Sequence, residues 1–196
     1  ASSRTHGPAK RGNGMTVTNL EGLIDLLNAQ GGAAYFGEPV SILEHSLQAA
    51  HSAVMAKADA TLTAAALLHD IGHMLHGLDE GIAGRGQDGM HEEVAATYLS
   101  RWFGEAVTMP IRLHVPAKRF LCWRDAGYLQ QLSPASIESL ALQGGPMNEK
   151  EAAAFLRNPF AEAAVALRGW DDEAKIPGLK VPEADYYLAT LRAASL

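Results

Sequence analysis

Apolar residues recur along this chain at intervals of three and four, the spacing of helices that bury one face. In "NLEGLIDLLNAQ" the residues Leu20, Leu23, Ile24 and Leu27 form one stripe, and Asn19 stands where a helix takes its N-cap. The pattern breaks at "GGAAYFGEP" and resumes after Pro39 as "SILEHSLQAAHSAVMAKA". A third helix is predicted over "TLTAAALLHDIGHMLH", then a glycine-dense loop, "GLDEGIAGRGQDG", and a fourth helix over "MHEEVAATYLSRWF". The fifth, "EAVTMPIRLHVPAKRFLC", contains Pro110 and Pro116, which predict a bend or an end. "SPASIESLALQGG", "NEKEAAAFLRN", "PFAEAAVALRGWDDEA" and "PEADYYLATLRAA" complete the series. No strand pattern of useful length and no internal repeat occurs, so the expected fold class is all-α, as one domain over residues 15–196.

Composition narrows the setting. The 196 residues are 47% hydrophobic and 19% charged, which is globular, and no run approaches the roughly 18 apolar residues of a membrane helix. No charged start followed by an apolar stretch marks a leader. The single cysteine, Cys122, cannot form an intrachain disulfide and reads as a small buried hydrophobe, so a reducing, cytoplasmic location is expected. Net charge is −6, and residues 1–14 contribute Arg4, Lys10 and Arg11 with no acid, so the body is more acidic than the whole. That argues against a nucleic-acid partner. The first 14 residues are small, polar and glycine-rich, and disorder is expected there. Met15 reads as a natural start, which would make the preceding tail an addition.

The third helix poses the chemical question. Its buried seam contains His69, Asp70 and His73, with His76 beside the loop reading as solvated. Polar groups in such a seam are costly unless something satisfies them. His69 and Asp70, being adjacent on a helix, point about 100° apart. They cannot easily share one ion, but they can serve two ions if Asp70 bridges. His73 lies one turn beyond His69 on the same face. Elsewhere His45 shares a helix side with Gln48 and His51, His91 opens the fourth helix, His114 lies in the fifth, and Asp171 follows Trp170 near a helix end. A lone helical histidine is usually a core or surface residue. Five helices each offering a His or Asp toward an apolar interior make the ligand set of a first-row transition metal.

"EHS", "HDIGH", "HEEVA", "RLHVPAKRF" and "RGWDDEA" together resemble the His-Asp (HD) superfamily of helical metalloproteins. "YFGE", "LEHSLQ", "HVPAKR" and "LALQGGPM" make the chain similar to its oxygenase branch, which cleaves carbon–phosphorus bonds, over about Leu20 to Tyr187. The resemblance implies a single-domain HD-type helical bundle with a dinuclear metal site in its core. The implied ligands are His45, His69, Asp70, His91, His114 and Asp171. Asp70 would bridge, His45 and Asp171 would complete one ion's set, and His91 and His114 would serve the other. The implied cofactors are two Fe ions, as Fe(II)/Fe(III), with O2 as co-substrate. Four imidazoles suit Fe better than Mg, and Mn stays compatible. The implied reaction is oxidative cleavage of 1-hydroxy-2-aminoethylphosphonate or its N-trimethyl analogue, releasing phosphate and glycine or glycine betaine.

The same resemblance assigns the surroundings. His73, Lys118, Ser136 and Arg168 match phosphonate-binding positions. Tyr35 matches a mobile tyrosine that caps the O2-binding iron, so Tyr35, His73 and Lys118 are the implied catalytic side chains. Glu38 matches a carboxylate that meets the substrate's amine. Gln143 is either a hydrogen-bonder behind the site or a helix C-terminal residue before Gly144 and Gly145. Without the resemblance Lys118 and Arg168 read as solvated charges, Ser136 as a helix hydroxyl and Glu38 as a first-turn acid. A quaternary ammonium would call on aromatic faces such as Phe36, Trp123 and Tyr128. The rival readings are an HD-type phosphohydrolase using metal-bound hydroxide, an inositol oxygenase, and a sensor or scaffold with a dead site.

Overall fold

The structure is a computed structural model that describes residues 17–75 and 90–196. Among them it is helical, with two isolated antiparallel bridges, Ala34 to Ser41 and Phe103 to Ser195, and no named strand. The helices are α1 (Leu20–Gln30), α2 (Ile42–Met55), α3 (Ala60–Leu68), α4 (Gly72–Leu75), α5 (His91–Leu99), α6 (Glu105–Arg124), α7 (Ala126–Gln131), α8 (Pro134–Leu142), α9 (Glu149–Leu156), α10 (Ala161–Glu173) and α11 (Leu188–Ala194), the last preceded by a 3-10 turn over Ala184–Tyr187. The tail 1–14, the loop after the third predicted helix and His76 lie outside the described residues.

Local chemistry starts these helices where the sequence placed them. Asn19 accepts from the Gly22 N–H and caps α1. After Pro39, Ser41 and Glu44 close a reciprocal capping box on α2. Asp59 and Ser133 cap α3 and α8 through their side chains, and Asn148 and Glu151 close a second capping box on α9. Tertiary packing then fixes their arrangement. α6 lies against α3, α5 and α10, and α2 packs on α3 and α10. Fully buried alanines line α2 (Ala49, Ala50, Ala53) and α3 (Ala64, Ala65, Ala66), which lets these helices approach closely. Larger side chains such as Leu67, Leu68, Ile111 and Leu167 fill the same core.

Two expectations are corrected, and one further helix appears. The third predicted helix is not continuous: α3 ends at Leu68, His69 is its C-cap, and the chain restarts as α4 at Gly72. Bonds from Ile71 N–H to Leu68 O, His73 N–H to Asp70 O and Met74 N–H to Ile71 O are three-residue steps, tighter than α. Gly72 is required there, because a Cβ would stand 2.0 Å from the His91 carbonyl oxygen. Second, Pro110 and Pro116 do not end α6, which runs 20 residues through both. Packing on three helices holds it together where two backbone bonds are lost. The further helix, Ala126–Gln131, carries no periodic pattern in the sequence; Asp125 caps it.

Candidate metal centre and anion pocket

Six side chains from four helices and the α3–α4 turn converge in the core. His45 comes from α2, His69 and Asp70 from the turn, His91 from the first position of α5, His114 from α6 and Asp171 from α10. All are buried but His91, whose side chain is 12% exposed. They sort into two groups with ligand atoms close enough to hold one ion each: His45, His69 and Asp171, and Asp70, His91 and His114.

Ring orientation shows what the groups require. His45 Nδ1 lies 2.9 Å from Ala174 O, His69 Nδ1 2.9 Å from Ala66 O, and His114 Nδ1 2.7 Å from Ile111 O. Carbonyls only accept, so each Nδ1 carries the proton and each Nε2 presents a lone pair. Yet His45 Nε2 faces His69 Nε2 at 3.1 Å, and His91 Nε2 faces His114 Nε2 at 3.2 Å. At the His45–His69 pair two lone pairs so placed repel unless a cation stands beside them.

Asp70 faces both groups. Its Oδ2 lies 3.5 Å from His45 Nε2 and 3.5 Å from His69 Nε2, while Oδ1 lies 3.3 Å from His91 Nε2 and 3.7 Å from His114 Nε2. Neither oxygen accepts a well-formed hydrogen bond, though both are buried. A buried carboxylate set between two clusters of imidazole nitrogens fits a pair of cations. Charge states agree. Burial, with His69 and His91 nearby, lowers His114 to about 3; burial lowers His45, against the pull of Asp171, and lowers His73 well below the usual range. Burial would raise Asp70, but His69 and His91 outweigh it and hold the carboxyl well below its ordinary value. Asp171 is likewise held down, burial being outweighed by Arg168. Neutral imidazoles and ionised carboxylates are the forms that bind metals.

Tyr35, in the turn between α1 and α2, stacks on His45 with centroids 4.1 Å apart. Burial and the facing charges of Asp70 and Asp171 raise its phenol well above 10, so it keeps its proton. His73 stacks on His91 at 4.1 Å, contacts Phe36 at 4.3 Å, and lies 3.9 Å from Asp70 Oδ1, on the rim of the second group.

Two buried cations, Arg168 and Lys118, stand close to Asp171. Arg168 Nη1 donates to Asp171 Oδ2 at 2.8 Å and Nε donates to Asp172 Oδ2 at 3.1 Å, with a further contact to Asp172 Oδ1 and one to the Tyr128 hydroxyl. Lys118 on α6 is 2% exposed and donates to Ser139 Oγ at 2.8 Å. Among the described residues no carboxylate stands within ion-pair distance of it. Burial, with Arg168 nearby, lowers its ammonium to about 8. Ser136 is buried and accepts from Lys175 Nζ at 3.0 Å. Glu38 is paired with Lys175 at 3.0 Å and accepts from the Ser133 hydroxyl. Gln143 is the C-cap of α8, and its buried Oε1 has no hydrogen-bond partner. Of the aromatics considered for a quaternary ammonium, Tyr128 donates to Asp172, while Trp123 is exposed on α6.

Sequence reasoning missed Lys175, Asp172, Ser133 and Ser139. A signal existed for two: Arg168, Asp171, Asp172 and Lys175 recur at helical spacing along "RGWDDEAK" and so share one side.

Comparison with known proteins gives this geometry its family. The HD domain model matches residues 42–119, which span α2 to α6. A hydroxymethylphosphonate dioxygenase of Gimesia maris is 51% identical over 159 residues, 80% of this chain and 78% of the relative. The chain belongs to the HD-domain phosphonate dioxygenases. A second member, the glycine-betaine-forming [1-hydroxy-2-(trimethylamino)ethyl]phosphonate dioxygenase of Leisingera caerulea, is 37% identical over 175 residues, 89% of this chain and 88% of the relative. An HD-domain phosphonate dioxygenase implies a metal and O2, and the two facing histidine pairs around Asp70 provide where a metal can sit. Among the described residues no helix is long and apolar enough to cross a membrane.

Proposed function

We propose that the protein cleaves the carbon–phosphorus bond of a 1-hydroxyphosphonate with O2 at a di-iron centre, and that hydroxymethylphosphonate is its preferred substrate. Lys118 carries the proposal. A buried ammonium without an acidic partner is costly, and a dianionic phosphonate beside the centre supplies the missing charge. The proposed ligands are His45, His69 and Asp171 for one iron and His91 and His114 for the other, with Asp70 bridging. Held by these residues, an iron pair would supply the redox chemistry that reduces O2 and oxidises C1.

The chain's own groups do the rest. Lys118 gives one N–H to Ser139 and keeps two for phosphonate oxygens. Arg168 holds Asp171 Oδ2 and so fixes which carboxylate oxygen faces the metal. Tyr35, protonated and stacked on His45, covers one side of the centre against water. His73 stands on the rim of the second group and is offered to the substrate as a neutral imidazole. The reaction balances without a reductant: hydroxymethylphosphonate dianion plus O2 gives formate, hydrogen phosphate and one proton.

The closer relative's substrate and the occupied state of Glu38 support a substrate without an ammonium. The Leisingera relative favours a second reading, the N-trimethyl compound. Metal analysis of iron-loaded protein should give about two Fe per chain. Phosphorus NMR in air should show inorganic phosphate formed faster from hydroxymethylphosphonate than from the N-trimethyl compound. One zinc per chain with no iron-dependent turnover would refute the di-iron centre, and a faster N-trimethyl reaction would favour the second reading.

A further inference from the structure

The charges around the pocket are matched in an uneven way. Asp171 and Asp172 are both taken by Arg168. Glu38 is taken by Lys175 at 3.0 Å, with side chains only 8% and 13% exposed. Lys175 also donates to Ser136 Oγ at 3.0 Å, and Ser133, which caps α8, donates to Glu38. Among the described residues, the carboxylates of Asp171, Asp172 and Glu38 are therefore all taken, while Lys118 is left to meet a negative group. The pair spans two elements. Glu38 belongs to the turn that carries Tyr35, closed by its N–H to the Tyr35 carbonyl at 2.7 Å. Lys175 follows Ala174, whose carbonyl orients His45.

We propose that Lys175 is a specificity-determining residue: by neutralising Glu38 it excludes 1-hydroxyphosphonates with a cationic substituent and admits those with a small neutral one. The assignment rests on the phosphonate reading above. A quaternary ammonium donates no hydrogen bond, so its attraction to the site is set by the local charge. With Lys175 present, Glu38 has no net field to offer, and Lys175 itself repels a second cation. With Lys175 removed, Glu38 becomes a poorly solvated carboxylate beside Ser133, and a substrate cation is the partner it lacks.

The test compares kcat/KM for phosphate release from [1-hydroxy-2-(trimethylamino)ethyl]phosphonate and from hydroxymethylphosphonate, with anaerobic titrations giving Kd for both without turnover. In Lys175→Met the ratio of the first to the second should rise on the order of tenfold or more in both readouts. Lys175→Arg, which keeps the pair, should leave the ratio near that of the wild type. Glu38→Gln, which frees Lys175, should move it the opposite way. In Glu38→Gln/Lys175→Met the gain for the cation should vanish. These opposite signs separate a charge effect from damage to the turn, which would lower both substrates together. Unchanged ratios in both Lys175→Met and Glu38→Gln, with phosphate still released, overturn the assignment and leave the proposed function standing. No phosphate from either compound in the wild type overturns the proposed function and this assignment with it.

Discussion

Replacing Asp70 by Asn tests whether one carboxylate serves two ions. The change keeps the volume and removes the charge that faces His45 and His69 through Oδ2 and His91 and His114 through Oδ1. A metal at 100 times its Kd stabilises a fold by about 2.7 kcal/mol per site, hence about 5.4 kcal/mol for two. In a chain of this size that raises Tm by roughly 11–22 °C. Losing even an outer partner of a ligand weakens metal binding by about 10–100-fold, so losing a bridging oxygen costs at least the upper figure at each ion. The metal then stands near its Kd, where stabilisation falls to about 0.4 kcal/mol per site and the shift for two sites to roughly 2–3 °C. His45→Ala strips one group only and should retain about 3.1 kcal/mol. Calorimetry with and without Fe(II), under argon, should therefore rank wild type above His45→Ala above Asp70→Asn. Asp70→Asn falling level with the single-histidine variant would show that Asp70 serves one ion, and the bridge would be wrong.

Lys118→Met should raise KM for the phosphonate about 10–150-fold with the metals retained, by loss of a charge-assisted contact. It should also raise Tm, because a buried cation without an acid is replaced by an apolar chain. An unchanged KM would place Lys118 outside the substrate site. Lys118 is charged below about pH 8 and loses its proton as pH rises through that value, so kcat/KM should fall with a midpoint near 8. Lys118→Arg should carry that limb upward, and a limb that stays in place belongs to another group. Gly72→Ala puts a Cβ 2.0 Å from the His91 carbonyl oxygen and should displace α5, costing about 1–3 kcal/mol in denaturant unfolding and one metal equivalent. A variant with both metals and wild-type stability would show that the α4–α5 approach is not what places His91.

How much was legible in the sequence depended on the range of the interaction that decided each feature. Helix starts were readable because Asn19 and Ser41 act on N–H groups three residues away. The break after Leu68 was not, because "HDIGHM" keeps helical periodicity and the cause is the backbone of α5, reached through Gly72. Pro110 and Pro116 argued for a bend or a stop, and packing on α3, α5 and α10 overrides the stop. The convergence of His45, His69, Asp70, His91, His114 and Asp171 followed from the family motifs, since no local pattern says which helix faces meet. Lys175 escaped notice because a lysine just past a helix end is ordinarily solvated. Its pairing with Glu38, 137 positions earlier in the chain, exists only in the fold.

The central claim is oxidative, not hydrolytic, cleavage, and the ratio of O2 consumed to phosphate released decides it. Iron-loaded protein given hydroxymethylphosphonate and no reductant should consume one O2 for each phosphate and each formate. Phosphate appearing at the same rate under argon, with no O2 taken up, would contradict the account and make the site a phosphohydrolase.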